Sequence, residues 1–142
     1  MEKQIYYHDT DAGGVVYYGR YLQYLEEART EYLSDHGLTV LQLRDKGFLY
    51  AVRECHITYK KPARYGDVIT CTAELKKITA AQMFFHQNIH LKEEGSLLAT
   101  ADVALVSLTK DFKPAPIPED IKELLSTPPL TTVNQPPGLV YG

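Results

Sequence analysis

The spacing of apolar positions changes along the chain, from a period near 3.6 residues to an alternation of two. Between about residues 20 and 36, apolar side chains recur at spacings of four, three and four, at Tyr21, Leu25, Ala28 and Tyr32. This spacing puts them on one face of a long amphipathic helix. Gly37 follows, at a position where helices commonly end in glycine. A second, shorter helix is predicted over residues 39–46.

Most of the remaining sequence predicts β-strands. Residues 2–7 predict a short first strand. Four longer strand-like runs follow, at 48–60, 68–78, 81–92 and 96–109. Short turns join the later runs, so neighbouring strands must be antiparallel. One long helix together with such a sheet predicts an α+β fold.

The sequence indicates one domain, residues 1–126, with a further short helix expected over 119–125. Residues 127–142 contain four prolines and no charged side chain, which predicts an extended C-terminal tail. We found no internal repeat that would indicate a second domain.

Charge and hydropathy exclude several functional classes. The net charge is −3 and the isoelectric point is about 5.9, which is not typical of a nucleic-acid-binding protein. No apolar run approaches the roughly 18 residues of a membrane span, and the N-terminus lacks the pattern of a signal peptide. A cytoplasmic location is therefore expected. Cys55 and Cys71 lie in strand-like segments, where we expect buried free thiols rather than a disulfide framework.

The histidines do not predict a metal site. His86 and His90 are four residues apart, but they lie in an alternating strand, where four residues span about 13 Å. Zinc–nitrogen bonds are about 2 Å long, so one ion cannot bridge the pair. The sequence also lacks the serine-nucleophile elbow and the phosphate-binding loop of nucleotide-binding proteins. We therefore expect neither a metal nor another cofactor.

The segment just before the long helix is the best candidate for chemistry. Asp9 and Asp11 precede a Gly13-Gly14 pair, and a short apolar run then leads into the helix. A helix start offers unpaired N–H groups and a partial positive charge. A carboxylate held near such donors can attack a carbonyl carbon or activate water, while the N–H groups stabilise the oxyanion. The residues alone also allow a simpler interpretation, in which an aspartate merely caps the helix.

A family resemblance favours the catalytic interpretation. The segment D-T-D-A-G-G-V-V-Y-Y, continuing as Y-x-x-Y-x-E-x-A-R-x-E, resembles the 4-hydroxybenzoyl-CoA thioesterase-like branch of the hot-dog superfamily. Within that branch it is most similar to the Tol-Pal-associated acyl-CoA thioesterases of bacteria. The similarity continues through the run from Ile57 to Asp67 as far as about Pro118. It implies a hot-dog fold, with a long central helix wrapped by a curved five-stranded antiparallel sheet.

The resemblance also implies roles for individual residues. The second acid of the triplet, Asp11, would be the catalytic carboxylate, and Tyr18 would donate its backbone N–H to the thioester oxygen. Glu26 matches a helix carboxylate near the acyl pocket. The motif residues between them that are assigned to substrate binding are Gly14, Val15 and Tyr17. Asp9 is expected to matter far less than Asp11. Many Tol-Pal-associated members have histidine in place of Tyr18, so only a backbone role carries over there.

The binding of CoA phosphates departs from the family pattern. Some members that act on aryl-CoA have an arginine-rich segment where this chain has residues 79–82, which lack arginine. The densest cationic cluster is Lys60, Lys61 and Arg64, which could contact the phosphates or could simply be a solvated turn.

The resemblance implies hydrolysis of an acyl-CoA to a free acid and CoA, in a homodimer or homotetramer with shared active sites. Asp11 would act as a nucleophile or as the base for water, and the sequence leaves both routes open. Three alternatives are a non-catalytic acyl-thioester-binding module, an interaction module for an acyl-carrier protein, and a hot-dog dehydratase that uses His8.

Overall fold

A computed structural model describes residues 1–128 of the chain. Its helices are α1 (Arg20–Asp35), α2 (Val40–Asp45) and α3 (Glu119–Ser126), preceded by a single 3₁₀ turn at Tyr7–Asp9. Its strands are β1 (Glu2–Gln4), β2 (Leu49–Tyr59), β3 (Val68–Cys71), β4 (Glu74–Ile78), β5 (Gln82–Leu91) and β6 (Leu97–Leu108). All but the first two residues of the predicted tail lie outside the described residues.

The strands form one antiparallel sheet in the order β1-β3-β5-β6-β2, with β4 also paired to β5. The longest pairing joins β2 to β6, from Leu49 opposite Leu108 to Tyr59 opposite Ala99. Among residues 1–128, β2 has no strand on its other side. It is therefore an edge strand, 11 residues long.

The core lies between α1 and one face of the sheet. On β5, the buried side chains alternate with half-buried ones, as expected for a strand with one face in the core. Tyr32 of α1 makes an edge-on contact with Phe85, with 5.3 Å between ring centroids. The side-chain amide of Gln87 donates to the carbonyl of Leu25 at 3.0 Å and so ties the helix to the sheet.

The predicted α+β hot-dog fold is confirmed, and so is the apolar face of α1. Tyr21, Leu25 and Ala28 are buried, and Tyr32 is half-buried. Each fully buried side chain of this kind stabilises the fold by about 1.5–3 kcal/mol relative to an exposed one. No helix in the described part of the chain is both long and apolar enough to cross a membrane.

Two strand predictions need correction. The predicted strand over 68–78 is two strands, because the Thr72 hydroxyl accepts the Asn88 N–H and interrupts the ladder. The sheet consequently has six strands rather than five. The first strand ends at Gln4 instead of residue 7, because the chain turns at Tyr7–Asp9.

The two thiols differ, contrary to the prediction that both are buried. Cys71 is buried, and burial raises the pKa of its thiol to about 12. Cys55 is exposed, because it lies on β2, whose outer edge has no neighbouring strand among residues 1–128. Burial of a strand residue depends on its neighbouring strands, which the sequence pattern of β2 does not reveal.

Candidate active site

Residues 9–17 form a tight hairpin that carries Asp11 at its tip. The Tyr17 N–H donates to the Asp9 carbonyl at 3.1 Å, and the Asp11 N–H donates to the Val15 carbonyl at 2.9 Å. The turn is closed by the Gly14 N–H, which donates to the Asp11 carbonyl at 3.0 Å. Gly14 has φ +79, a left-handed conformation that favours glycine.

The Asp11 carboxylate is exposed but held in one orientation. Its Oδ1 accepts the Gly13 N–H at 2.8 Å, which is an Asx turn. A Cβ at residue 13 would lie only 3.3 Å from this oxygen, so the glycine gives the carboxylate its room. The second carboxylate oxygen makes no hydrogen bond to residues 1–128, which leaves it free for a proton or a carbonyl carbon.

The start of α1 supplies free backbone donors beside this hairpin. The N–H groups of Tyr18 and Gly19 donate no hydrogen bond to any residue of the described range 1–128. They precede the first turn of α1, where the helix dipole adds partial positive charge. The Tyr18 side chain is 65% exposed, and its carbonyl accepts the Tyr59 hydroxyl at 3.2 Å.

The turn with the cationic cluster packs directly against the hairpin. The Val16 N–H donates to the Ala63 carbonyl at 2.8 Å, and the Tyr65 N–H donates to the Gly14 carbonyl at 3.2 Å. Val15 and Arg64 form an isolated β-bridge. The side chains of Lys60, Lys61 and Arg64 are exposed. The cations predicted for phosphate binding therefore stand beside the predicted catalytic loop.

Three cavities lie along α1, beginning in the Tyr18 region, and this row of cavities is called the groove below. The first cavity, of about 260 Å³, lies between the hairpin, the beginning of α1, the end of β2 and the turn that follows β2. Its lining residues are Val16, Tyr18, Tyr21, Tyr59, Lys60, Lys61 and Pro62. A second cavity of about 250 Å³ lies between Leu22, Leu25 and Glu26 of α1 and Val52 and Cys55 of β2.

The third cavity, of about 430 Å³, shares Glu26, Arg29 and Val52 with the second and continues to Phe48. Because successive cavities use later residues of α1 and earlier residues of β2, the groove follows the space between this helix and the unpaired edge of the sheet. Glu26 lies eight residues after Tyr18, about 12 Å along the helix.

Arg29 is a buried cation that the sequence reasoning missed. It is 8% exposed, and its Nη1 donates to Gln87 Oε1 at 2.9 Å. Burial lowers the pKa of its guanidinium, because the charged form loses water. The helical period places Arg29 on the apolar face of α1, and the alternation along β5 places Gln87 on its buried face. A polar residue at a position predicted to be buried is the signal in the sequence that could have found both.

The structure therefore brings most of the predicted site residues to one end of the molecule. Those grouped around the hairpin are Asp11, Gly14, Val15, Tyr17, Tyr18, Lys60, Lys61 and Arg64. Glu26 stands apart, farther down the groove. Tyr59 and Asp9, which the sequence reasoning gave no role, also contact this region.

Comparison with known proteins identifies the family of the chain and several of its relatives. Residues 6–125 match the sequence family described as the thioesterase-like superfamily. The chain is 37% identical to the acyl-CoA thioesterase YbgC of Haemophilus influenzae over 120 residues, which cover 84% of this chain and 88% of that protein. It is 28% identical to the acyl-CoA thioesterase YbgC of Helicobacter pylori strain J99 over 134 residues, 89% of this chain and 98% of that one.

Solved structures are similar along almost the whole chain. The 1,4-dihydroxy-2-naphthoyl-CoA thioesterase Slr0204 from Synechocystis superposes with a TM-score of 0.80 at 27% identity, covering 96% of this chain and 97% of that one. A hypothetical protein from Thermus thermophilus superposes with a TM-score of 0.83 at 31% identity, covering 89% and 95%.

Proposed function

The chain belongs to the thioesterase-like superfamily, and we infer that it is an acyl-CoA thioesterase that releases a free carboxylic acid and CoA. One observation carries this proposal. An exposed carboxylate, Asp11, lies in the hairpin of residues 9–17. Tyr18, whose N–H has no partner among residues 1–128, follows that hairpin directly and lines the first cavity. A thioester carbonyl needs such a pair, one group to deliver the nucleophile and one to stabilise the oxyanion.

In the proposed reaction, the thioester carbonyl oxygen accepts a hydrogen bond from the Tyr18 N–H. Negative charge then develops on this oxygen beside the positive end of α1, which stabilises the transition state. Asp11 either takes a proton from a water molecule whose oxygen attacks the carbonyl carbon, or attacks that carbon itself to form an anhydride that water later hydrolyses. In both routes the carbon–sulfur bond breaks and CoA leaves as a thiolate, which is then protonated.

The groove between α1 and β2 is proposed to hold the acyl group. The walls of its second cavity are largely apolar, formed by Leu22, Leu25, Val52 and Val103. Gly14, Val15 and Tyr17 are proposed to shape its mouth, and Glu26 to face the acyl group about 12 Å farther along.

Lys60, Lys61 and Arg64 are proposed to contact the phosphates of CoA. Lysine binds phosphate as a point charge, whereas arginine binds it through a planar fork. Two features support the assignment. Lys60 and Lys61 line the first cavity beside Tyr18. The bridge between Val15 and Arg64 holds the turn against the hairpin, so a ligand leaving the groove there passes these cations.

A homodimer, or a tetramer built from dimers, is proposed as the active form. β2 leaves one full edge unpaired within residues 1–128, and Val52 and Tyr59 on it are exposed. Long unpaired edges are normally covered. Because β2 also forms one wall of the groove, a second copy on this edge would close the acyl site. We further propose residues 1–126 as the catalytic domain and the cytoplasm as its location.

Release of thiol from purified protein tests the proposed function. We expect turnover of at least one member of a panel of short, long and aromatic acyl-CoAs. Asp11→Asn should lower kcat by at least about 100-fold, the usual scale for loss of a base or nucleophile. Asp111→Asn is the matched control. It also changes an exposed carboxylate in a turn, but this turn follows the C-terminal end of β6 and lies outside the proposed site.

Two results would replace the proposal with another function. Saturable acyl-CoA binding without thiol release would indicate a non-catalytic acyl-binding module. Capture that requires an acylated carrier protein, again without hydrolysis, would indicate an interaction module. Full turnover by Asp11→Asn would keep the enzyme but remove Asp11 from its mechanism.

A further inference from the structure

We propose that Asp9 is a positioning residue that fixes the Asp11 carboxylate relative to the Tyr18 N–H. The inference rests on the proposed function, because it concerns the geometry of that same reaction. The resemblance to known thioesterases assigns the chemistry to the second acid of the D-T-D triplet and gives the first acid no role. The contacts of Asp9 within the fold point to one.

Asp9 is the buried acid of the pair. It is 2% exposed, whereas Asp11 is exposed. Aspartates are almost never fully buried unless they are paired. Asp9 Oδ2 accepts the Tyr6 N–H at 2.9 Å, which closes the 3₁₀ turn that ends the first strand. The carboxylate therefore fixes the point at which the chain enters the hairpin.

The main chain of Asp9 fixes the point at which the hairpin ends. Its carbonyl accepts the Tyr17 N–H at 3.1 Å, so Tyr18 is the next residue after a direct bond to Asp9. Asp11 lies two residues after Asp9, on the same arm of the hairpin. Both proposed catalytic groups are thus within two residues of positions that Asp9 holds, and a shift of Asp9 would change the distance between them.

Arg20 of α1 and His8 of the 3₁₀ turn complete the anchor. Asp9 Oδ1 lies 3.9 Å from Nε of Arg20, the first residue of α1, and 3.6 Å from Nε2 of His8. Arg20 also donates from Nη2 to the His8 carbonyl at 3.3 Å. Buried charges interact more strongly than exposed ones. The contact between Asp9 and Arg20 therefore holds the beginning of α1 against the base of the hairpin. The free N–H groups of Tyr18 and Gly19 lie directly before this point.

The buried Tyr24 supplies a further indication of this charge. Its hydroxyl has no hydrogen-bond partner within residues 1–128. Its pKa is raised, first by burial and second by the negative charge of Asp9. The Asp9 carboxylate is therefore buried close to Tyr24 of α1, and it lines none of the cavities of the groove.

The test compares Asp9→Asn with Asp67→Asn. Asp67 is a matched control, because its Oδ2 accepts the N–H of Arg64, three residues earlier, just as Asp9 accepts that of Tyr6. Asparagine keeps the shape and the acceptor oxygen but removes the charge. We expect Asp9→Asn to lower kcat by roughly 10-fold or more, because displacement of catalytic groups by an ångström has effects of this size. KM should change by less than about twofold, and Asp67→Asn should leave kcat unchanged.

Further variants separate positioning from stability. Arg20→Met should lower kcat in the same direction, while Arg20→Lys, which keeps the charge, should restore much of it. In an Asp11→Asn background, Asp9→Asn should cost less than in the wild type, because the group it positions is already gone. All rates are compared well below the melting temperature of each variant, with folding checked by circular dichroism.

Three outcomes would overturn the inference. They are a wild-type kcat in Asp9→Asn, equal effects of Asp9→Asn and Asp67→Asn, or equal effects of Asp9→Asn with and without Asp11. None of them would affect the proposed function, which fails only if the wild-type protein does not hydrolyse acyl-CoA. If Asp9→Asn does not fold, the Arg20 pair decides, and unchanged turnover in Arg20→Met then contradicts the proposal.

Discussion

Replacing Tyr21 by phenylalanine should destabilise the protein through the loss of a single hydrogen bond. The Tyr21 side chain is 3% exposed, and its hydroxyl oxygen accepts the Ala63 N–H at 3.0 Å. Ala63 is itself fully buried. Phenylalanine keeps the ring contacts with Tyr24 and Tyr59. The change therefore removes the acceptor and leaves a buried backbone N–H without a partner.

An unpaired buried donor costs about 1–3 kcal/mol of unfolding free energy. For a domain of this size, that corresponds to a fall in Tm of roughly 4–12 °C. Urea unfolding measures the loss directly, and an unchanged m value would show that the unfolded state is unaltered. The same bond ties α1 to the turn that carries Lys60 and Arg64, so KM for acyl-CoA should rise along with the loss of stability.

Tyr24→Phe is the matched control. Tyr24 is 1% exposed, neighbours Tyr21 on the same helix, and has a buried hydroxyl without a partner within residues 1–128. Its replacement should destabilise the protein clearly less than Tyr21→Phe, because no buried backbone N–H depends on the Tyr24 hydroxyl. Equal destabilisation by the two variants would refute the reasoning, since the effect would then come from the tyrosine type and not from the Ala63 hydrogen bond.

Three further predictions concern the ligand, pH and assembly. Lys61→Glu should raise KM for acyl-CoA but leave kcat for a short pantetheine thioester almost unchanged, because only acyl-CoA carries the nucleotide phosphates; equal effects on both substrates would assign the cluster to the fold or the interface. The pKa of the Cys71 thiol is about 12 in the folded state, against 9.0 without burial. Its contribution to stability is therefore complete below pH 9 and lost between pH 9 and about 12, and urea titrations at pH 8 and 11 should show a smaller decline in Cys71→Ala. Light scattering at micromolar concentration should give a dimer or a larger species, and a fully active monomer of 16.1 kDa would contradict the shared-site proposal.

The spacing of apolar residues correctly predicted α1 and β5 and the face of each that is buried. The apolar face of α1 follows from the spacing of Tyr21, Leu25 and Ala28, and the alternation along β5 follows from its period of two. Both elements contribute buried side chains to the core of the fold. The resemblance in the D-T-D motif then indicated which of several polar loops to examine.

The sequence could not predict features that depend on contacts between residues distant in the chain, such as strand order, side-chain hydrogen bonds across the sheet and the burial of a loop residue. Cys55 is exposed because β2 is an edge, and strand order is a property of the whole sheet. Thr72 interrupts a strand because its hydroxyl takes the N–H of Asn88, which lies 16 residues away. Asp9 and Asp11 are equivalent as residue types, and only the fold buries one and exposes the other.

The hairpin that carries Asp11 has a consequence for the order of folding. The hydrogen bonds within the hairpin join residues no more than eight positions apart, whereas the bond between Gln87 and Leu25 that seats α1 on the sheet spans 62 positions. Closing a short loop costs little chain entropy, and contacts distant in sequence form late. During synthesis, the ribosome releases the hairpin and α1 well before β5 and β6. A nascent chain can therefore form the loop that presents Asp11 at a stage when it has no groove, and it gains the ability to bind an acyl chain only when the last strand is in place.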